Sequence, residues 1–216
     1  MSTYRKRSLV LNLIINLGFT GLVLGIFLIF NNNRDITIKK LIQNSPVKIS
    51  EDKPSTKAVA EYKVPADNPK YIEAPDIKLD KSIVLPLGLL PSNEIATPNN
   101  IYEAGWYTGS AKPGQSGATF IYAHVSSWTA KGLFYGLKYL KPGDLIYVTK
   151  GDNSVLTYQV IATMKYPYNK VDMNKVLSPI NKVASGLNLM TCTGNVMPNT
   201  SEFDQRLVIF TSLINS

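Results

Sequence analysis

One cysteine (Cys192), one histidine (His124) and, beyond residue 34, one arginine (Arg206) stand in a chain of 216 residues. Together they suit acyl transfer. The thiolate is the nucleophilic form of cysteine, and a free thiol is only about 3% ionised at neutral pH. A nearby imidazole can take the thiol proton and later deliver one to a leaving amine. When a thiolate attacks an amide carbonyl, the oxygen becomes negative, and a fixed guanidinium beside it stabilises that charge. Each residue also has a plainer role. Free cysteines are usually small buried hydrophobes, a lone histidine in an apolar strand is more often structural, and an arginine at a strand start is usually a solvated charge.

Positioning these groups requires strand ends that meet. Cys192 follows the short apolar run 187–190 and precedes Thr193-Gly194-Asn195, which reads as a turn. Arg206 begins the next strand-like run after a 13-residue connection, so an antiparallel hairpin would set the two opposite each other. His124 lies near the end of a third run, and all three can meet at one rim of a barrel. Candidate strands are 71–73, 77–79, 83–86, 118–125, 145–149, 155–166, 187–191 and 206–213. Turn chemistry separates them at Lys112-Pro113-Gly114, Lys141-Pro142-Gly143-Asp144 and Lys150-Gly151-Asp152-Asn153. Stretches 133–140 and 174–180 read as single helical turns, too short for alternating βα crossovers. The pattern predicts an all-β domain, either a closed or nearly closed barrel or a sandwich.

The charge of +8 divides unevenly. Residues 1–70 carry 11 Lys/Arg against 5 Asp/Glu, while residues 71–216 carry 12 against 10. No basic–aromatic patch marks the domain, so nucleic acid is not an expected partner. A single cysteine forms no internal disulfide, and an apolar content of 44% is enough for an ordinary core. Residues 8–30 carry no charge and as a helix would span about 35 Å, enough to cross a hydrocarbon core. Arg5-Lys6-Arg7 before them places the N-terminus in the cytoplasm. A cleaved signal peptide would have a shorter apolar region and a small-x-small site, and neither is present. The expected order is a basic cytoplasmic N-terminus (1–7), a single-pass signal anchor (8–30), a flexible stalk (31–70, with a short helix at 36–43) and an extracytoplasmic domain (71–216). Gly21 and Gly25 have the spacing of a weak helix-packing face.

Asn188-Leu189-Met190-Thr191-Cys192 is similar to the nucleophile motif Thr-Leu-x-Thr-Cys of the sortases, membrane-anchored cysteine transpeptidases of bacterial surfaces, with Asn188 replacing the first Thr. Phe120-Ile121-Tyr122-Ala123-His124 resembles the strand carrying the family histidine, with Ala123 where Gly is usual. Arg206-Leu207-Val208-Ile209 resembles the arginine at the start of the last strand. The order His, Cys, Arg and the separations of 68 and 14 residues also match. So do Gly105-Trp106-Tyr107, Pro113-Gly114, Gly117, Gly132-Leu133-Phe134 and Leu140-Lys141-Pro142-Gly143-Asp144. The pattern is closest to the class D/E/F type.

The resemblance implies an eight-stranded sortase barrel with one or two short helices, acting on a Leu-Pro-x-Thr-Gly-like sorting signal of secreted proteins. Cys192 would form a thioacyl enzyme, His124 would act as acid and base, and Arg206 would hold the oxyanion. The acceptor would be an amine such as a peptidoglycan peptide or a pilin lysine. Substrate contacts are expected from Leu189 and Thr191, and from Val171, Met173, Val176, Leu177 and Ile180 in the segment before the nucleophile strand, which can equally be helix-to-barrel packing. No cofactor and no metal are expected; Asp172 stands without an acidic cluster. Competing readings are a pilus-polymerising sortase, a non-catalytic extracytoplasmic binding module with a buried Cys192, and a serine–lysine enzyme using Ser127 and Lys131, whose surroundings lend those roles no support.

Overall fold

The computed structural model describes residues 49–180 and 185–215. The expected anchor at 8–30 and the short helix at 36–43 fall outside these residues. No helix among the described residues is long and apolar enough to cross a membrane.

Eight strands close into a barrel in the order β1-β2-β3-β4-β7-β8-β6-β5. They are β1 (Pro69–Ala74), β2 (Leu79–Leu87), β3 (Ala104–Tyr107), β4 (Gly117–Ala123), β5 (Leu145–Lys150), β6 (Val155–Pro167), β7 (Ser185–Val196) and β8 (Phe203–Asn215). Six neighbouring pairs run antiparallel, while β2–β3 and β4–β7 run parallel. Parallel neighbours need long connections. The two that result, residues 88–103 and 124–184, carry the loops around the site.

Side chains alternate faces along each strand. On β4, β7 and β8 one face supplies Ile121, Leu187, Leu189, Leu207 and Ile209 to the barrel interior, where they join Ile72, Val84, Ile146 and Tyr158. The other face supplies Phe120, Tyr122, Val208 and Phe210 to a second apolar cluster outside the barrel. The closed barrel, rather than the sandwich, follows from β5 finding β1 and leaving no free edge.

Several boundaries differ from those the sequence pattern predicts. The segment expected as a stalk is partly docked: the described residues from Ile49 onward belong to the barrel's compact unit. Helix α1 (Thr56–Glu61) is capped by Ser55, Ser50 bridges to Asn100, and the Tyr62 hydroxyl donates to the Val84 carbonyl at 2.9 Å. The low apolar content of this segment hid anchoring that rests mostly on backbone bonds and two tyrosines. Residues 77–79 are not a separate strand: Pro75–Ile77 form a 3₁₀ turn and Lys78 is left-handed, after which β2 runs through as one strand. The short β3 carries glycine and too few residues to show alternation, and the sequence pattern predicts no strand there. Residues 133–139 form a 3₁₀ segment with a kink at Phe134, and α2 (Met173–Val176) is capped by the Asp172 carboxylate, which accepts from the Asn174 and Lys175 amides.

Candidate active site

The β4–β7 register pairs Gly117 with Ser185 and Tyr122 with Met190, an offset of 68 positions. The same offset separates His124 from Cys192. On the other side of β7, Cys192 lies directly opposite Arg206 of β8. The three residues thus occupy one rim. Their parity is also common: His124 continues Phe120 and Tyr122, Cys192 continues Asn188 and Met190, and Arg206 continues Phe210 and Val208. All three belong to the outer face, at the end of the second apolar cluster.

Thr191 braces this rim. Buried one residue before Cys192, its hydroxyl donates to the Ala123 carbonyl at 2.8 Å, tying the backbone before the cysteine to that before the histidine. Two loops then hold His124. Its Nε2 lies 2.8 Å from the Pro98 carbonyl. A carbonyl only accepts, so Nε2 carries the hydrogen and Nδ1 is left to exchange a proton. Behind it, Phe134 donates its amide to the His124 carbonyl at 3.0 Å, and Gly132 donates to Val125 at 2.9 Å. A Cβ at Gly132 would lie 2.4 Å from the His124 carbonyl oxygen, so only glycine permits this approach.

Cys192 is not at the end of its strand, because β7 continues to Val196 across an irregularity where Gly194 takes φ +88. The glycine lets the expected turn be absorbed as a bulge. Arg206 likewise sits inside β8. Its guanidinium donates to the Phe203 carbonyl at 2.9 Å and to the Glu202 carboxylate at 2.9 Å, and lies over the Tyr168 ring. Partial burial pushes the Cys192 thiol up; the Arg206 charge opposes that shift and Glu202 adds to it. In the resting site the cysteine is therefore a thiol, with less thiolate at neutral pH than a free cysteine holds.

Below this rim the outer face carries the second apolar cluster, a candidate peptide trough. Phe120, Tyr122, Val208, Phe210 and Val176 are its buried base; Met190, Met164 and Tyr166 are partly buried beside them. Val171, Met173, Leu177 and Ile180 form one bank, and Leu87, Ile95 and Tyr107 the other. Of the expected substrate contacts, Val171, Met173, Leu177 and Ile180 are partly buried against this cluster. Val176 is fully buried and anchors the bank. Leu189 has the opposite parity and lies in the barrel interior, so it does not face the trough, and Thr191 is occupied by Ala123. Met190 and the far bank were missed, although parity with Cys192 points to Met190. Asn188 fastens the α2 bank to β7, its amide nitrogen donating to the Val176 and Ser178 carbonyls at 2.6 and 2.9 Å.

A sortase domain model matches residues 72–214, about two thirds of the chain. No curated relative matches the sequence. Among solved structures, a Streptococcus pneumoniae sortase C is 25% identical, with 79% of this chain and 78% of that one covered and a TM-score of 0.54. A lid mutant of Corynebacterium diphtheriae sortase A is 21% identical over 79% and 84% of the two chains, with a TM-score of 0.53. A Clostridium perfringens sortase D5 transpeptidase is 18% identical over 74% and 86%, with a TM-score of 0.50.

Proposed function

The chain belongs to the sortase family of transpeptidases, and on that premise we propose that it cleaves a Leu-Pro-x-Thr-Gly-like sorting signal and joins the released protein to a surface amine. His124 takes the Cys192 thiol proton as the sulfur attacks the Thr carbonyl carbon, and the oxyanion that forms is stabilised by the Arg206 guanidinium. The C–N bond breaks as His124 protonates the leaving amine, giving a thioacyl enzyme. An acceptor amine then attacks the thioester carbonyl; a C–N bond forms, the C–S bond breaks, and the proton lost from the amine passes through His124 to the departing Cys192 sulfur. The apolar residues of the signal lie in the trough, between the bank of Met173 and Leu177 and that of Ile95 and Tyr107.

The observation that carries this reading is the pair of registers bringing His124 and Arg206 to either side of Cys192 on the face that bears the trough. Residues 8–30 anchor the enzyme, with the barrel outside the membrane. Within the family the motif pattern is nearest to the class D/E/F type. A second reading, polymerisation through a pilin lysine, is favoured by the likeness to the S. pneumoniae sortase C, which is described for its pilin substrate specificity.

Incubating the protein with a sorting-signal peptide and then with amine acceptors should first leave a thioacyl mass on Cys192 and then yield the ligated peptide. A lysine side-chain acceptor preferred over an N-terminal glycine would favour the pilin reading. Cleavage at the unaltered rate by Cys192→Ala would overturn the mechanism.

A further inference from the structure

A cavity of about 290 Å³ lies beside the first half of β2, outside the trough and unused by the chemistry above. Lys53, Lys78 and Lys81 line it with Asp80, Tyr102 and Leu133. The lining thus holds three lysines and one aspartate. None of the three lysines belongs to an ion pair among the described residues. Lys53 and Lys81 instead rest over the rings of Tyr102 and Tyr71, at 5.4 and 4.6 Å. Lys78 is held left-handed at φ 55, a backbone state that long side chains rarely adopt. A concavity with an excess of lysines over carboxylates in its lining attracts anions. Its volume is at the lower limit of about 300 Å³ for small-molecule pockets, which suits one carboxylate-bearing side chain rather than a whole ligand.

Its place in the barrel indicates whose carboxylate it takes. Gly132, which closes against the His124 carbonyl, is also part of the cavity wall. Val84 of β2 pairs with Ala104 of β3, which pairs with Ala123 of β4, next to His124. The residues of β2 before Val84 therefore extend past the same rim as Cys192, three strand spacings around the wall. That is roughly 14 Å, or about four extended residues. The second apolar cluster lies on the outer face of β4, β7 and β8, and none of its residues lines the lysine cavity.

We propose that this cavity binds a carboxylate of the acceptor, so that the preferred acceptor is an acidic peptide whose carboxylate lies about four residues from the attacking amine. The proposal rests on the transpeptidase reading above. It predicts that the thioacyl form of the full chain reacts faster with Gly-Gly-Gly-Glu-amide than with Gly-Gly-Gly-Gln-amide, by roughly five- to tenfold in kcat/KM at low ionic strength. The ratio should fall toward one in high salt, and in the triple variant Lys53→Gln, Lys78→Gln, Lys81→Gln. It should persist in Lys57→Gln, whose lysine pairs with Glu61 on α1 and does not line the cavity. Moving the Glu to the first position should abolish the preference. Equal rates for the two acceptors, or a preference that survives the triple variant, would overturn the proposal. So would a triple variant that loses binding to phosphatidylglycerol vesicles while showing no acceptor discrimination, which would assign the lysines to the membrane surface. If no thioacyl adduct forms at all, the proposed function fails separately. Calorimetry with the acetylated Glu and Gln peptides then decides for the cavity alone: tighter Glu binding, lost in the triple variant, supports it, and equal affinity overturns it.

Discussion

The two faces of β4, β7 and β8 differ by a single residue of register and have opposite roles. Ile121, Leu189 and Leu207 point inward and close the barrel. Tyr122, Met190 and Val208 point outward, and two residues further along the same face come His124, Cys192 and Arg206. The inner face is buried and mostly apolar, with Thr119, Thr191 and Thr211 among its residues. The outer face grades from the buried Phe120 and Phe210 to a partly exposed thiol at the rim. A one-residue slip of β7 would exchange Cys192 for Thr191 and Met190 for Leu189. The interior packing that fixes register is thus what holds the reactive groups together, and the faces can be separated by substitution.

The sharpest separation pairs Cys192→Ala with Leu189→Ala. Removing the thiol should lower transpeptidation by more than about 10³-fold, since a covalent nucleophile has no substitute, while leaving the thermal midpoint near its original value. Truncating Leu189 leaves a cavity in the interior and should cost about 2–5 kcal/mol of stability. Its folded fraction should still be alkylated at Cys192. Denaturant unfolding and peptide ligation, measured on both proteins, check the contrast. A Leu189→Ala protein of unaltered stability would show that the inner face does not set the register.

Gly132→Ala carries the comparison to the loop behind His124. The new methyl would meet the His124 carbonyl oxygen at 2.4 Å, and backbone must shift to admit it. A misplacement of about 1 Å at a reacting group costs on the order of 10²-fold. Turnover should fall by that order, whereas Gly88→Ala, whose Cβ would meet only Thr108 at 3.9 Å, should be tolerated. Ligation rates of the two variants, with circular dichroism as the check on folding, distinguish a precise requirement for glycine here from a general sensitivity to added bulk.

A smaller effect is expected at Asn188, which works on the outer face without touching the reaction. Asn188→Ala would release the Val176 and Ser178 carbonyls from their buried donor. Leaving them unpaired costs about 1–3 kcal/mol, and the α2 bank should loosen. KM for the sorting peptide should rise several-fold, with alkylation of Cys192 by a small reagent little altered. A fall in kcat at constant KM would move Asn188 from the bank to the chemistry.

How much of this was readable in the sequence depended on how local each cause is. Cys192, Arg206 and their opposition across a hairpin followed from one apolar run, one turn and one connection. The spacing of 68 residues between His124 and Cys192 was visible as a family likeness, but its physical meaning, the offset of a parallel strand pair, needed the barrel order. Strand β3 was missed because four residues containing Gly105 show no alternation. Leu189, expected at the substrate, has the parity opposite to that of Cys192 and packs in the barrel interior. The docking of residues 49–62 was illegible for another reason: it depends on partners outside the segment, among them Tyr62 on Val84 and Asn100 on Asp52.

The smallest expected effect tests the electrostatics of the outer rim. Burial raises the Cys192 thiol, Arg206 lowers it and Glu202 raises it further. Alkylation by a neutral reagent should therefore climb about tenfold per pH unit through neutrality and keep rising beyond the ordinary thiol range before it levels. Replacing Glu202 with Gln removes a repulsive charge, so the thiol should ionise at lower pH and alkylation at pH 7 should quicken. Because the Glu202 side chain is 58% exposed, solvent and salt screen most of its influence, and a gain of only about two- to threefold is expected. Turnover should move the other way. Without its carboxylate partner the Arg206 guanidinium keeps only its bonds to the Phe203 and Gln205 carbonyls, and a less firmly held donor stabilises the oxyanion less well. Faster alkylation with slower ligation in one variant would separate thiol ionisation from oxyanion support; a parallel fall in both would mean that Glu202 acts only by holding the β7–β8 loop.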